Sequence, residues 1–382
     1  PCYRFSGILP ERNPQFTLAD TVITDFPKSF RFRGWFLNDE DLLTEVKISG
    51  GKRNIDYDFY DHVMDVAVLD RILETALRME INLVIPSSFV DIDNPDEEKL
   101  VEAVCRRGLY VSQHHVEPMG VSYFGADKYL KKRGYDAEAV SFLTNRTRMI
   151  EIWQYYAKKW AKYGERVIWQ LGLRGKADQA VWNADPSIPH SMETRGQIIT
   201  DAIQTQYDII CRTLGTTEFS STATLWHEGS ELYGRGFLKL PGQTIPVFSD
   251  LGLDQMFGED LDTINRSQNP KFGVYYHICY WTRGPHLTEG CHPEKMAYGY
   301  RLAADHGELC YSILNVSNVR PVHVSAFLNA KLLCAASALD LRAEMLALDD
   351  SVFGEYGKTV NGLRWKYYDA FADFGEEPLK NY

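Results

Sequence analysis

Short apolar runs alternate with longer amphipathic stretches along most of the chain, and nearly every run gives way at its C-terminal end to polar residues capable of chemistry. The runs are Phe32 to Leu37, Ile81 to Ile85, Leu109 to Ser112, Val167 to Leu173, Thr222 to Trp226, Ile245 to Phe248, Val274 to Tyr276 and Leu309 to Leu314. Runs this short, rich in β-branched and aromatic residues, suit strands buried on both faces. The stretches between them repeat apolar positions at helical spacing. Asp58 to Met79 carries Val63, Val66, Leu69, Ile72 and Leu77, and Pro95 to Arg107 opens on Asp96-Glu97-Glu98, acids that a helix N-terminus favours. Phe142 to Lys162, Arg195 to Leu214 and Pro293 to His306 read as further helices. Strand, helix, strand in regular succession predicts a parallel sheet of the α/β class, and eight such strands predict a closed (β/α)8 TIM barrel.

After Pro321 the pattern turns helical. Val324 to Leu348 is rich in Ala and Leu and would close the barrel, while Ser351 to Phe374 adds a second helix around Trp365, Tyr367 and Tyr368. We therefore divide the chain into a lead-in segment, 1–30, a barrel domain, 31–348, and a C-terminal helical appendage, 349–382, read as the start of a helical bundle. That C-terminal helical region could pair two copies as a homodimer. Repeats, low-complexity runs and flexible linkers do not interrupt the pattern.

Composition narrows the partners. Forty-one basic residues against fifty-two acidic ones leave a net charge of −11, which argues against nucleic acid as the main partner. Apolar runs stay far below the ~18 residues of a membrane span. The seven cysteines fall mostly inside apolar patterns without CxxC or other ligand spacing, so they read as buried thiols. Pro1 stands where an initiator Met is expected, which suggests that processing or truncation has removed the start.

In a (β/α)8 barrel the strand C-termini share one mouth, so the polar residues that end the runs become joint candidates for one pocket. Asp39 and Glu40 follow the first run, and Gln113-His114-His115-Val116-Glu117 follows the third. The histidines and Glu117 read either as polar recognition of hydroxyls or of a substrate carboxylate, or as part of a metal site with Asp39. Arg174 and Asp178 end the fourth run and read as a carboxylate clamp or as an ion pair shaping the loop. Glu228 stands beside Trp226, a ring able to stack on a sugar or to exclude water from a carboxyl group. Asp250, His277, Tyr280 and Asn315 complete the ring. Carboxylates, Arg and Trp without a phosphate-cradling loop, a GxSxG elbow or a dinucleotide fingerprint suit glycoside hydrolysis, in which one carboxylic acid protonates the leaving oxygen and a second carboxylate acts opposite. Neither a metal nor a cofactor is expected. A non-catalytic carbohydrate-binding protein on an enzyme scaffold is the alternative.

These residues resemble a known family. Arg33-Gly34-Trp35-Phe36-Leu37-Asn38-Asp39-Glu40-Asp41, His114-His115-Val116-Glu117-Pro118-Met119, Leu171-Gly172-Leu173-Arg174-Gly175 with Asp178, Tyr275-Tyr276-His277 with Tyr280, and Leu314-Asn315-Val316 are similar, in order, to motifs of glycoside hydrolase family 115, the xylan α-glucuronidases. The resemblance spans roughly residues 31 to 325. It implies an inverting enzyme that removes glucuronic acid or its 4-O-methyl ether from a decorated polysaccharide such as xylan, placed in the periplasm or secreted. It also implies that Asp178 or Glu228 is the general acid, that another carboxylate activates water, with Asp39 and Asp250 as the further catalytic candidates, and that Arg174, His115, His277 and Tyr280 hold the uronate. Two segments depart from the family pattern: Asp250-Leu251-Gly252 stands for an Asp-Asp-Asn run, and Asn315-Val316-Ser317-Asn318 for Asn-Val-Gly-Asp. A different uronate-bearing glycan is the corresponding alternative substrate.

Overall fold

In a computed structural model of the chain, eight parallel strands close into a barrel. The structure describes residues 30–38, 49–55, 57, 60–135, 140–252, 255–258, 260–263, 271–279, 286–335 and 339–372. The barrel strands are β1 (Phe32–Phe36), β4 (Leu83–Ile85), β5 (Tyr110–Ser112), β6 (Val167–Leu171), β7 (Ser220–Leu225), β8 (Ile245–Ser249), β9 (Lys271–His277) and β10 (Glu308–Asn315). Closure comes from β1, which pairs with β10 on one side and β4 on the other. The remaining strands, β2 (Ser49–Lys52) and β3 (His62–Met64), form a separate antiparallel ribbon.

Strand alternation sorts the core into two shells. Phe32, Phe36, Leu83, Ile85, Ile168, Val247, Tyr275, Tyr311 and Ile313 pack together inside the barrel. Trp35, Leu37, Val84, Val111, Trp169, Leu225, Phe248, Val274 and Leu314 belong to the outer shell shared with the helices. Gly34 points to the crowded interior, where an added Cβ would lie 2.5 Å from Ile313 Cδ1. Ile313 and Leu83 therefore have Gly34 opposite them, and Tyr311 has Gly273, as a packed barrel centre requires.

The helices differ from the sequence pattern in several places. Asp58 to Met79 is not one helix: His62–Met64 is strand β3, and the helix is Val66–Arg78, started by Asp65, whose side chain accepts from Ala67 N at 2.7 Å. Val63 kept the apolar spacing in register with the helix while belonging to a strand. Val324 to Leu348 is two helices, His323–Ala335 and Leu341–Phe353, because Asp340 caps the second by accepting from Arg342 N and Ala343 N. The helix Tyr123–Lys132, capped by Ser122, was not anticipated. The final helix, Gly357–Ala372, packs on Leu341–Phe353, a helix that itself runs through position 348.

Register brings the strand ends to one level: Phe36 lies beside Asn315, Asn315 beside His277, and Ser249 beside Tyr275. The C-terminal end of the barrel is thereby a single rim.

Candidate active site at the barrel mouth

Backbone strain concentrates on that rim. Among the described residues, Phe89 follows β4 at φ 57°, Met119 follows β5 at 64°, Ala177 and Asp178 follow β6 at 50° and 62°, His227 follows β7 at 48°, Gln255 follows β8 at 50°, and Ser317 follows β10 at 50°. Non-glycine residues in the left-handed region carry a conformational cost that surrounding structure must impose, and such residues gather at functional sites. Apart from these, the left-handed non-glycine residue is Glu80, at a helix end before β4.

Inside the rim, aromatic and imidazole rings form a continuous floor. Alternation along β9 turns both Tyr275 and His277 inward, with ring centroids 4.4 Å apart. Tyr275 lies 5.8 Å from His115 and 6.4 Å from Trp226, and Trp226 lies 5.3 Å from His277. His114 packs 4.4 Å from Phe36 and 4.2 Å from His115. From β10, Asn315 Nδ2 donates to the Tyr275 hydroxyl at 3.0 Å. Burial, then the neighbouring His115, pushes the His114 imidazole well below its usual range, so it is neutral.

On one side of this floor sits a charged bridge. Arg174 donates through Nε to Asp178 Oδ1 at 3.1 Å and, through a terminal nitrogen, to Glu228. His115 Nε2 lies 3.0 Å from Asp178 Oδ1. Burial alone would raise the Asp178 carboxyl, but His115 and Arg174 outweigh it and hold the group well below the usual carboxylate range. Asp178 is thus ionised and can only accept, which makes His115 Nε2 the donor. Glu228 begins the helix Glu228–Gly234, so the helix start and the ion pair are both present at this residue. His227, held at φ 48°, meets Trp226 edge-on with ring centroids 4.2 Å apart, and burial together with the nearby Arg174 lowers its imidazole below the ordinary value.

Asp250 lies behind His277. Its Oδ2 accepts from His277 N at 2.7 Å, while Oδ1 faces His277 Nδ1 at 2.6 Å and accepts from Gly252 N at 3.0 Å. With a side-chain exposure of 0%, it has no access to a substrate. Its chemistry is to hold the His277 ring in place, with Nδ1 turned to the buried carboxylate. Asp250→Asn should keep the shape but supply a donor where an acceptor is needed. If His277 contacts the substrate, turnover should fall about 10²-fold, as expected for a misoriented group, with the melting temperature little changed.

The structure brings His114, His115, Arg174, Asp178, Trp226, Glu228, His277 and Asn315 together, with Asp250 as their support. Glu117 is not at the surface of the pocket. It is 2% exposed, its Oε2 accepts from His114 N at 3.2 Å, and burial pushes its carboxyl well above the usual range. It braces the His114 turn from beneath. Asp39, Glu40 and Tyr280 lie outside the described residues. Tyr275, quoted above only as part of a motif, and His227 were not among the expected site residues; two-residue alternation from His277 would have added the first, and adjacency to Glu228 the second.

A closed parallel barrel with acids, imidazoles and aromatic rings gathered at the C-terminal ends of its strands has the layout of a glycoside hydrolase barrel. The chain belongs to glycosyl hydrolase family 115, whose sequence profile matches residues 26–361. None of the curated proteins compared with it matches the sequence. Among solved structures, it is similar in fold to a family 115 4-O-methyl-α-glucuronidase with specificity for decorated arabinogalactans, at 19% identity and a TM-score of 0.75, covering 97% of this chain and 48% of that one. It is also similar to a family 89 glycoside hydrolase from Clostridium perfringens, at 11% identity and a TM-score of 0.57, covering 96% and 45%. A family 138 enzyme targeting pectin rhamnogalacturonan II is similar at 11% identity and a TM-score of 0.55, covering 90% and 44%. The chain thus spans about half the length of these proteins.

Proposed function

We propose that this chain carries the catalytic barrel of a glycoside hydrolase that removes glucuronic acid, or its 4-O-methyl ether, from a decorated polysaccharide by inversion. The observation that carries the reading is the Asp178–Arg174–Glu228 bridge at the mouth, with His115 on Asp178. A group kept ionised makes a poor acid, so Asp178 is the base that activates water. Glu228, two residues from Trp226, is the acid that protonates the leaving oxygen, taking up its proton once a bound uronate carboxylate displaces it from Arg174. Arginine between two carboxylates keeps them apart instead of letting them share a proton, as the ~6.5–9.5 Å pairs of inverting enzymes require. The remaining N–H groups of Arg174, with His115 and His277, receive the uronate carboxylate. The barrel and its helical appendage divide near residues 348 and 349 in this reading.

Proton NMR of the first-formed product tests it. Release of the β-anomer from an α-linked glucuronide supports inversion; first release of the α-anomer means retention, and no release from any decorated glycan removes the reading. Glu228→Gln should lower kcat about 10²–10³-fold on natural linkages. An activated aryl glucuronide, which needs no protonation to leave, should recover most of that loss; equal loss on both substrates would take the acid role from Glu228.

A further inference from the structure

His227, the residue that follows Trp226 at the end of β7, is held at φ 48° and ψ −112°. Met119 and Ala177, which share its positive φ on the same rim, have ψ 15° and 49°, inside the left-handed basin that L-residues enter at modest cost. His227 lies outside that basin. Its values are those of the first central residue of a type II′ turn, about 60° and −120°, a position suited to glycine. The turn is Trp226-His227-Glu228-Gly229, closed by Gly229 N donating to the Trp226 carbonyl at 3.0 Å. Because that bond is made by backbone alone, a glycine would close the same turn without the strain that a Cβ brings.

The imidazole itself does little for the fold. Among the described residues neither ring nitrogen has a hydrogen-bond partner, and the ring meets Trp226 edge-on. Strain that the fold does not use points to a ligand. The order of burial along this strand end says where that ligand sits. Trp226 is buried, Glu228 half-buried and His227 exposed. Trp226 belongs to the floor, with Tyr275 and His277; Glu228 comes next, on Arg174; His227 is outermost. Burial, then Arg174, lowers the imidazole below its ordinary value, and Asp178 and Glu228 act in the opposite direction, so all three charged groups bear on the ring. In its neutral form the ring offers one donor and one acceptor.

We infer that His227 is a specificity-determining residue, whose imidazole hydrogen-bonds a hydroxyl of the leaving group beside the glycosidic oxygen. The inference rests on the function proposed above, in which Glu228 protonates that oxygen. With the uronate on the floor, whatever is bonded to the oxygen extends outward from Glu228, and His227 is the next residue outward. Donor and acceptor together match a hydroxyl, which is both. An uncharged ring also holds that hydroxyl without competing with Arg174 for the uronate carboxylate. The residue thereby favours leaving groups that carry a hydroxyl at this place, and the strained turn fixes the ring where that hydroxyl arrives.

His227→Ala and His227→Gly test this together, because alanine keeps the strain and glycine relieves it while both remove the ring. Rates are measured on glucuronic acid α-linked to xylobiose and to galactobiose, and on p-nitrophenyl α-glucuronide, whose leaving ring carries no hydroxyl. On the oligosaccharide that the wild type cleaves, kcat/KM should fall about tenfold in both variants, the worth of one neutral hydrogen bond, with no loss on the aryl glucuronide. The melting temperature of His227→Gly should equal or exceed that of the wild type. Binding is followed separately by imidazole NMR in the Asp178→Asn protein, in which turnover is suppressed. The His227 signal, identified by its absence once His227→Ala is added, should move with one of the two oligosaccharides and not with free glucuronic acid. The inference is overturned if the variants cleave the oligosaccharide as the wild type does, if they lose equally on the aryl glucuronide, if His227→Gly melts lower, since the ring would then serve the fold, or if the signal moves with neither ligand or equally with both. A signal that moves with an oligosaccharide which the wild type does not hydrolyse would instead count against the proposed function alone.

Discussion

Asp178→Asn is expected to lower release of glucuronic acid by roughly 10³–10⁴-fold, the upper range for loss of a positioned base, while leaving the backbone undisturbed. The substitution is informative because Asp178 sits at φ 62°, a region that Asn adopts about as readily as Asp. An alanine there would confuse lost chemistry with backbone strain. The amide retains an oxygen to accept from Arg174 or His115 but brings a donor toward those same donors, and it cannot take a proton from water. An activated leaving group should give no recovery, unlike Glu228→Gln, because the missing step is the attack of water; recovery on the aryl glucuronide would reverse the two assignments. Stability should change with pH in a definite direction. The folded-state value of Asp178 is depressed, so its contribution is fully present above the ordinary carboxylate range near ~4 and is lost as the pH falls through the depressed value. The melting-temperature difference between wild type and Asp178→Asn should therefore be flat from neutrality to mild acid and narrow only on strong acidification. A difference that widened as the pH fell would contradict the ionised state on which the base assignment depends.

Much of this arrangement was legible in the chain, for reasons that also show where legibility ends. All eight barrel strands stood out because runs buried on both faces need no polar partner until they reach the rim, where polar residues begin at once. Arg174 and Asp178 lie four apart on one loop, and their pairing could be read from spacing. Glu228 lies 54 positions from Arg174, and only the pairing of β6 with β7 brings them together. Exposure is likewise a tertiary quantity. Asp250 and Glu117 have the same local appearance as Asp178 and Glu228, yet one is buried behind His277 and the other beneath the His114 turn. Tyr275 was hidden for the opposite reason: an aromatic residue in an apolar strand reads as core, and here it is at once part of the barrel core and the floor of the site. The β2–β3 ribbon escaped notice because β3 is short and its apolar residues continue the period of the next helix.

The largest expected effect on stability comes from a pair that no spacing reveals, Arg53 and Glu97, 44 positions apart and with both side chains 0% exposed. Glu97 Oε2 accepts from Arg53 at 3.2 Å and from Asp91 N at 2.8 Å, while Oε1 accepts from Asn54 N at 2.9 Å and Asn94 Nδ2 at 3.0 Å. Arg53 in turn donates to the Ser88 carbonyl, and the Ser88 hydroxyl donates to Asn38 Oδ1 at 2.5 Å, at the end of β1. Glu97→Ala leaves a buried guanidinium without its counter-charge and orphans two backbone donors, which should destabilise the protein by about 3–5 kcal/mol. The loss should be read as a lower denaturation midpoint and as faster hydrogen exchange at the Asn54 and Asp91 amides. Because the network reaches Asn38, activity should also fall at temperatures well below the melting point, by a change in KM as much as in kcat. The double variant Arg53→Leu, Glu97→Leu separates charge from packing: replacing a buried pair by apolar residues of similar volume is often neutral or stabilising. It should recover the part of the stability lost to the unpaired guanidinium, while the Asn54 and Asp91 amides stay without their acceptor, and it does not restore the anchor on the Ser88 carbonyl, so its activity defect should persist. Recovery of activity together with stability would mean that the pair serves the core alone and has no part in holding the end of β1 in place.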